Sequence, residues 1–182
     1  MTLFTQHTAT TAPQGAAEVL EKVRERYSFI PNLASYIAEA PVVLDAVMTL
    51  SVAFDSTSFP PEEQQLILLT ISTLNGCTYC RTTHTGLGRS SGLSDEAIKA
   101  IQSDITIKDQ RLNALYQFTK TVFINKGWVE EAAITSFLDA GFTKAQVFET
   151  IMGVALKTLT NYCNHVAGAE PNKELIAMAA MD

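Results

Sequence analysis

The sequence predicts an all-α fold, a single multi-helix bundle preceded by a short arm. Apolar residues recur at three- and four-residue intervals, as at Val19, Leu20, Val23 and Tyr27, the spacing that lines one face of a helix. Proline- and glycine-bearing breaks such as "FIPN", "DSTSFPP", "NG", "GRSSG" and "GAEPN" separate these runs. No convincing alternating strand or hairpin signal stands against them.

Residues 1–15 are rich in Thr, Ala, Gln and Pro and lack apolar periodicity, so a flexible or loosely docked arm is expected there and the domain is expected over 16–182. A first amphipathic helix spans Ala16 to Tyr27. The restriction that Pro31 places on Ile30 turns the chain into a second helical stretch, and Pro41 opens a third whose Leu44, Val47, Met48 and Leu50 face inward. Pro61 suits the first turn of the next helix, with Ser58 as a nearby cap and Glu62 and Glu63 where the helix dipole favours negative charge. Asn75-Gly76 interrupts it, and a helix is expected from about Cys77 to Leu87. Ser94 starts another, carrying Ile98 and Ile101 inward. Arg111 to Lys126 is a further helix, and "WVEEAAITSFLDAGF" supplies a short one closed by Gly141. Thr143 caps the last long helix, which ends near His165. The count is roughly eight. Trp128 and the phenylalanines at 118, 123, 137, 142 and 148 read as core.

Composition narrows the function. Thirteen Lys and Arg against 19 Asp and Glu give a formal charge of −6 and a pI near 5.0, and no stretch concentrates cations as a phosphate-tracking surface would, so nucleic acid is not an expected partner. No window approaches the ~20 apolar residues that cross a bilayer. The first 21 residues hold no Lys or Arg and no apolar run of signal-peptide length, so a mature chain beginning here and a cytoplasmic location are expected. With 47% hydrophobic and 18% charged residues and a mean hydropathy of +0.11, there is apolar surface to spare for burial between subunits.

Three cysteines, Cys77, Cys80 and Cys163, are too few for a disulfide framework, and a close C-x-x-C pair in a reducing compartment points to redox chemistry or metal binding. Residues three and four apart share a helix face, so on one helix Cys77, Cys80 and His84 line up, with the imidazole expected within hydrogen-bond reach of the Cys80 sulfur. Two influences then favour a thiolate: the positive helix end and the nearby imidazole. Such a pair can close an internal disulfide, one cysteine attacking and the other resolving. A metal site and simple core packing remain open at this point. For metal, Cys163 and His165 add donors, but two residues apart they lie about 200° round a helix and should not converge on one ion.

"QQLILLTISTLNGCTYCRTTHTGLGRSSGLSDEAI" resembles the signature of the carboxymuconolactone decarboxylase and alkyl hydroperoxidase D superfamily, a long helix, Asn-Gly-Cys-x-x-Cys and a histidine four residues on. "FIPNLASYIAEAPVVLDAVMTL" and the segment from "LNALYQF" to "NHVAG" are similar to its peroxidase-related branch, so nearly everything after residue 16 is covered. The resemblance implies an alkyl hydroperoxidase D-like all-α bundle, homo-trimers or homo-hexamers, no cofactor or metal, and a dithiol that reduces hydroperoxides or a partner's disulfide and is restored by a thiol-reductant protein. By the family's pattern Cys80 is the reactive thiolate, Cys77 its resolving partner and His84 the base or proton carrier. Two departures stand out. Where hydroperoxidase members have a relay glutamate, twelve residues before the first cysteine, this chain has Gln65, which cannot take a proton but could orient His84 or a water; Glu62, one turn earlier, is the alternative acid. Tyr79 stands where the best-known peroxidase has a histidine, and is a third relay candidate. Both changes weaken the case for peroxide turnover and leave thiol–disulfide exchange intact.

The rival functions are a non-catalytic protein holding a metal or small ligand at this helix, and a carboxymuconolactone decarboxylase-type enzyme, for which no basic residues beyond Arg81 and Arg89 are evident. Asn161, Asn164 and His165 form a polar cluster at the end of the last helix and either line the site or are solvated C-terminal caps. His7, in the arm, carries no case.

Overall fold

The computed structural model describes residues 3–180, which form ten α-helices and no strand. In chain order these are α1 (Ala16–Tyr27), α2 (Asn32–Ile37), α3 (Pro41–Asp55), α4 (Pro61–Leu74), α5 (Thr78–Ser90), α6 (Asp95–Ser103), α7 (Gln110–Ile124), α8 (Glu131–Asp139), α9 (Lys144–Ala167) and α10 (Lys173–Ala180). The all-α expectation holds. The count exceeds the eight expected chiefly at the carboxyl end, where α10 follows "GAEPN".

Local chemistry sets most boundaries. Pro41 and Pro61 occupy first-turn positions of α3 and α4, where a missing N–H is no loss. Ser94 caps α6 by accepting from the Ala97 N–H, and Asp109 does the same for α7 from Leu112. Thr143 opens α9 with a full capping box, its side chain paired with Gln146 in both directions. Ser58 does not cap α4 as expected; its hydroxyl donates to Glu149 Oε2 at 2.7 Å, tying that loop to α9.

α4 is the central element, packed against α5, α6, α7 and α9 and buried from Glu63 to Ser72 except at Gln65. Around it one apolar cluster gathers Leu66, Ile101, Leu115, Phe118, Phe137 and Leu156, with Phe137 stacked between Phe118 and Phe142. Glu63 is more than a dipole partner for the helix start. Its buried carboxylate accepts from Arg111 Nε at 2.7 Å, and that guanidinium lies 3.9 Å over the Phe142 ring. A second cluster joins α1, α2 and α3 to Cys77, Tyr79, Cys80 and Leu175 of α10. The dithiol therefore belongs to the packing of the amino-terminal helices on α5.

Two expectations about exposure are corrected. Trp128 and Phe148, read as core, are 86% and 73% exposed: Trp128 lies in the connection between α7 and α8, Phe148 is on the outward face of α9, and the interior is already filled by Phe118, Phe137 and Phe142. Residues 3–15, before α1, hold no helix, and they are anchored. His7 is buried, its Nε2 2.8 Å from Glu39 and its backbone N–H donating to Ser35.

Candidate active site

The turn that delivers the dithiol is written in "LNGC". α4 ends at Asn75, Gly76 takes the left-handed conformation at φ 65°, and two bonds close the stop, Gly76 N–H to Thr73 O and Cys77 N–H to Ser72 O. This is a Schellman ending. Cys77 is at once its last residue and the N-cap of α5. Cys80 follows in the first turn of α5, both sulfurs lie at the positive helix end, and both residues are buried.

The two thiols differ. The Cys77 thiol donates to the Cys80 sulfur, and that hydrogen bond is the largest influence lowering the Cys80 pKa, to about 6 against the burial that opposes it; the Lys157 cation, the Asn161 amide and, from further off, His165 add to the effect. The same bond and burial push the Cys77 pKa up, so Cys77 stays a thiol. Near neutral pH the site is a thiolate at Cys80 beside a thiol at Cys77.

His84 does not contact a sulfur through a hydrogen bond as expected. Its Nδ1 lies 2.8 Å from Gln65 Oε1 and its Nε2 2.7 Å from Lys157 Nζ. An ammonium only donates, so Nε2 accepts and Nδ1–H donates to Gln65. This requires a neutral ring, and burial together with the Lys157 cation holds the His84 pKa well below its usual value. Gln65 thus orients His84 through its amide. Glu62 has no place in this chain of contacts, since both imidazole nitrogens are occupied. Tyr79 lines the same cavity, but its phenol accepts from the Leu33 N–H at 3.4 Å and donates to Asn172 Oδ1 at 3.5 Å; burial pushes its pKa up. Its contacts tie α2 and the α9–α10 connection to the dithiol helix instead of feeding a relay.

From α9 come three residues at helical spacing, Lys157, Asn161 and Asn164, all buried. Asn164 Nδ2 donates to the Cys77 sulfur at 3.5 Å. Asn161 accepts from Asn75 Nδ2 at 2.9 Å through its oxygen; its own Nδ2 meets no acceptor at hydrogen-bond distance, and the group it favours is the Cys80 thiolate. Both asparagines are buried beside the dithiol, so neither is a solvated cap. His165 is exposed and acts on Cys80 only through its field. Lys157 was not anticipated. Its signal was its register: with Gly153, Leu156, Thr160 and Asn164 it falls on the buried stripe of α9, where a lysine needs a reason.

Cys80, His84 and Lys157 open onto a largely apolar cavity of about 230 Å³, roofed by residues of α1, α2, α3 and α10 such as Leu33, Leu44 and Met178. Cys77 lies behind Cys80, off the cavity lining. Arg81 is exposed, and Arg89 pairs with Asp95 at 2.7 Å; neither lines the cavity. Among the described residues no three of His, Cys, Asp and Glu gather as a metal site would require, and no helix is long and apolar enough to cross a membrane.

No curated protein matches the sequence. Residues 41–121 match the Carboxymuconolactone decarboxylase family, a stretch that runs from the start of α3 into α7 and holds the dithiol, Gln65 and His84. The fold is shared with a peroxidase-related protein with an alkylhydroperoxidase AhpD core from Ralstonia eutropha JMP134, at TM-score 0.86, 20% identity and coverage of 98% of this chain and 96% of that one. A peroxidase-related protein from Silicibacter sp. TM1040 gives 0.81 and 17%, covering 96% and 92%. A cysteine-to-alanine variant of the debrominase Bmp8 in complex with 2,3,4-tribromopyrrole gives 0.79 and 16%, covering 98% and 96%. At these identities the structural likeness speaks for the fold, an all-α bundle shared with alkylhydroperoxidase AhpD-core proteins, and residues 41–121 are similar to the Carboxymuconolactone decarboxylase family.

Proposed function

We propose that this protein is a thiol-dependent oxidoreductase in which the Cys77–Cys80 dithiol supplies two electrons to a hydroperoxide or disulfide. The observation that carries this reading is the asymmetry of the pair: Cys80, with its pKa lowered, faces the cavity, while Cys77 is a thiol behind it. The Cys80 thiolate attacks the terminal oxygen of a hydroperoxide, the O–O bond breaks, and an alcohol leaves, giving a sulfenic acid at Cys80. Cys77 then attacks that sulfur and water leaves as the Cys77–Cys80 disulfide forms. With a disulfide substrate the intermediate is a mixed disulfide and the leaving group a thiol. An external dithiol protein restores the pair.

The largely apolar cavity favours a second substrate for the same chemistry. A structural relative is a debrominase seen with a bromopyrrole, and a dithiol can likewise reduce a bound haloaromatic, replacing carbon–bromine by carbon–hydrogen with release of bromide. Assembly into homo-oligomers accompanies the proposal, supported by Phe148, Ile151, Tyr162 and Val166, which leave an apolar stripe exposed along α9.

Reduced protein treated with an organic hydroperoxide, an oxidised protein dithiol or a bromopyrrole, then read by intact-mass and peptide mass spectrometry, tests the reading. A Cys77–Cys80 disulfide formed with one of the first two is expected; disulfide with the bromopyrrole alone selects the second substrate, and free thiols with all three would refute the proposal. Gln65→Glu in the same assay probes the relay. A carboxylate facing the His84 Nδ1–H strengthens that hydrogen bond and raises the histidine's basicity; faster hydroperoxide turnover is expected if the imidazole carries the proton, and an unchanged rate if another group does.

A further inference from the structure

Lys157 is buried in α9, and no carboxylate among the described residues forms an ion pair with it. A buried ammonium without an anion is costly, so lysines are rarely buried unless paired. One of its three N–H groups is fixed on His84 Nε2 at 2.7 Å. That imidazole is in turn fixed by Gln65 from α4 at 2.8 Å. Two N–H groups remain, on a side chain that lines the same cavity wall as Cys80. The groups whose charge bears on Cys80 are Lys157 and His165 from α9, while Cys77 at the α5 N-cap acts as a neutral hydrogen-bond partner; His84 and Tyr79, which share the cavity with it, stay neutral. His165 is exposed, so the one buried cation at the dithiol is Lys157.

We propose that Lys157 is the counter-ion of the Cys80 thiolate and the proton donor to the leaving group, and that His84 and Gln65 are the positioning residues that aim it. The assignment rests on the proposed dithiol chemistry and replaces the family-style relay that begins at a glutamate. When Cys80 attacks a hydroperoxide, the electron pair of the broken O–O bond leaves on the alkoxide, and Lys157 gives it a proton. Lys157 is then neutral. Cys77 gives its own proton to the hydroxyl that leaves Cys80 as water when the disulfide closes. Reduction by an external dithiol returns two electrons and two protons, leaving a thiol at Cys77 and, once the Cys80 proton passes to Lys157, a thiolate–ammonium pair. A disulfide substrate follows the same course with a thiolate as leaving group.

This arrangement also explains how the site works with glutamine at position 65. A glutamate relay moves protons through a carboxylate and an imidazole. Here the imidazole accepts from a cation and has no need to change protonation, so a neutral amide is sufficient behind it.

The test is the pH dependence of Cys80 alkylation by iodoacetamide in the reduced protein, followed at the Cys80 peptide. In the wild type the rate is expected to be half-maximal near pH 6 and flat above neutrality, since the thiolate fraction rises with pH through the thiol's pKa. Lys157→Met removes the cation and keeps the stem, and is expected to raise the midpoint by about two pH units, within the range of 1–3 that an adjacent opposite charge supplies, so alkylation at pH 7 slows about tenfold. Lys157→Arg should keep the midpoint near that of the wild type. His84→Gln keeps the cation and should move it less than Lys157→Met does. If Lys157→Met does not fold, Lys157→Gln takes its place with the same expectation. An unmoved midpoint in the charge-removing variant, or an equal shift in His84→Gln, would overturn the assignment. Alkylation needs no physiological substrate, so a wild-type protein that reduces neither hydroperoxides, disulfides nor haloaromatics defeats the proposed function while leaving the Lys157 result readable.

Discussion

Cys80→Ser will reduce turnover of hydroperoxide or disulfide by on the order of 10³-fold or more, the scale at which loss of a covalent nucleophile is felt, whereas Cys77→Ser will still react once. The two outcomes follow from the asymmetry of the site. A serine hydroxyl at position 80 is not ionised by the surroundings that lower the Cys80 thiol to about pH 6, so the cavity loses its nucleophile. Cys77→Ser leaves that nucleophile in place, and a serine hydroxyl can still donate to the Cys80 sulfur as the Cys77 thiol does. Its single attack has no resolving thiol behind it. One equivalent of hydroperoxide should therefore leave Cys80 as a sulfenic acid, trapped by dimedone, and an excess should drive it to sulfinic acid. Steady-state consumption with dithiothreitol as reductant measures the first effect and intact mass the second. Cys163→Ser is the control: Cys163 lines a separate depression with Tyr36, Val43 and Tyr162, and its replacement leaves the rate unchanged. A Cys77→Ser protein that gives no dimedone adduct at Cys80, or a Cys80→Ser protein that consumes hydroperoxide at the wild-type rate, would contradict the division of roles.

The features that could be read from the sequence are those whose cause lies within a few residues. Asn75-Gly76 stops α4 because glycine accepts φ 65°, Pro61 starts it, and Thr143 caps α9 with Gln146 three positions on. Cys80 and His84 share one face because α5 is continuous through both, with Cys77 at its N-cap. What lay beyond reach was the partner across the bundle. The bond between His84 and Lys157 joins residues 73 apart in the chain, and periodicity marks Lys157 as lying on the inner stripe without saying what it meets. The same gap explains Asn161 and Asn164, which read as polar helix-end residues until α9 is laid across Cys77. It also explains the aromatics, since spacing assigns Phe148 to a face and says nothing of whether that face is covered. α10 was missed because it is eight residues long with a single buried apolar position, Leu175, a pattern too short to separate from a tail. Its docking depends on Gly86 of α5, where an added Cβ would come within 2.9 Å of the α10 backbone at Ala179.

Gly153→Val will destabilise the fold by about 2–3 kcal/mol and, through the fold, disturb the site. An added Cβ at Gly153 would lie 2.7 Å from Ile67 and 2.8 Å from the Phe54 ring, and both neighbours are fully buried. Neither has solvent to move into, so the overpacking penalty belongs at the upper end of its usual range of about 1–3 kcal/mol. Removing glycine from a helix interior offsets only about half a kcal/mol when the replacement is β-branched. Guanidinium unfolding should show a lower midpoint at unchanged slope. Phe54→Leu removes the ring atoms that the Cβ would strike, so the double variant should be more stable than the sum of the single effects by about 1 kcal/mol, a coupling expected of residues in contact. The consequence for chemistry comes from register. Gly153 and Lys157 are four apart on one face of α9, and the close approach of α9 to α3 and α4 at Gly153 sets the depth at which Lys157 reaches His84. A helix pushed outward there withdraws the cation from Cys80, so the folded Gly153→Val protein should also alkylate with a raised pH midpoint, and Phe54→Leu should bring that midpoint part of the way back. A stability loss with an unmoved midpoint would mean that α3 and α4 yield instead of α9, and that the position of Lys157 is held from the His84 side.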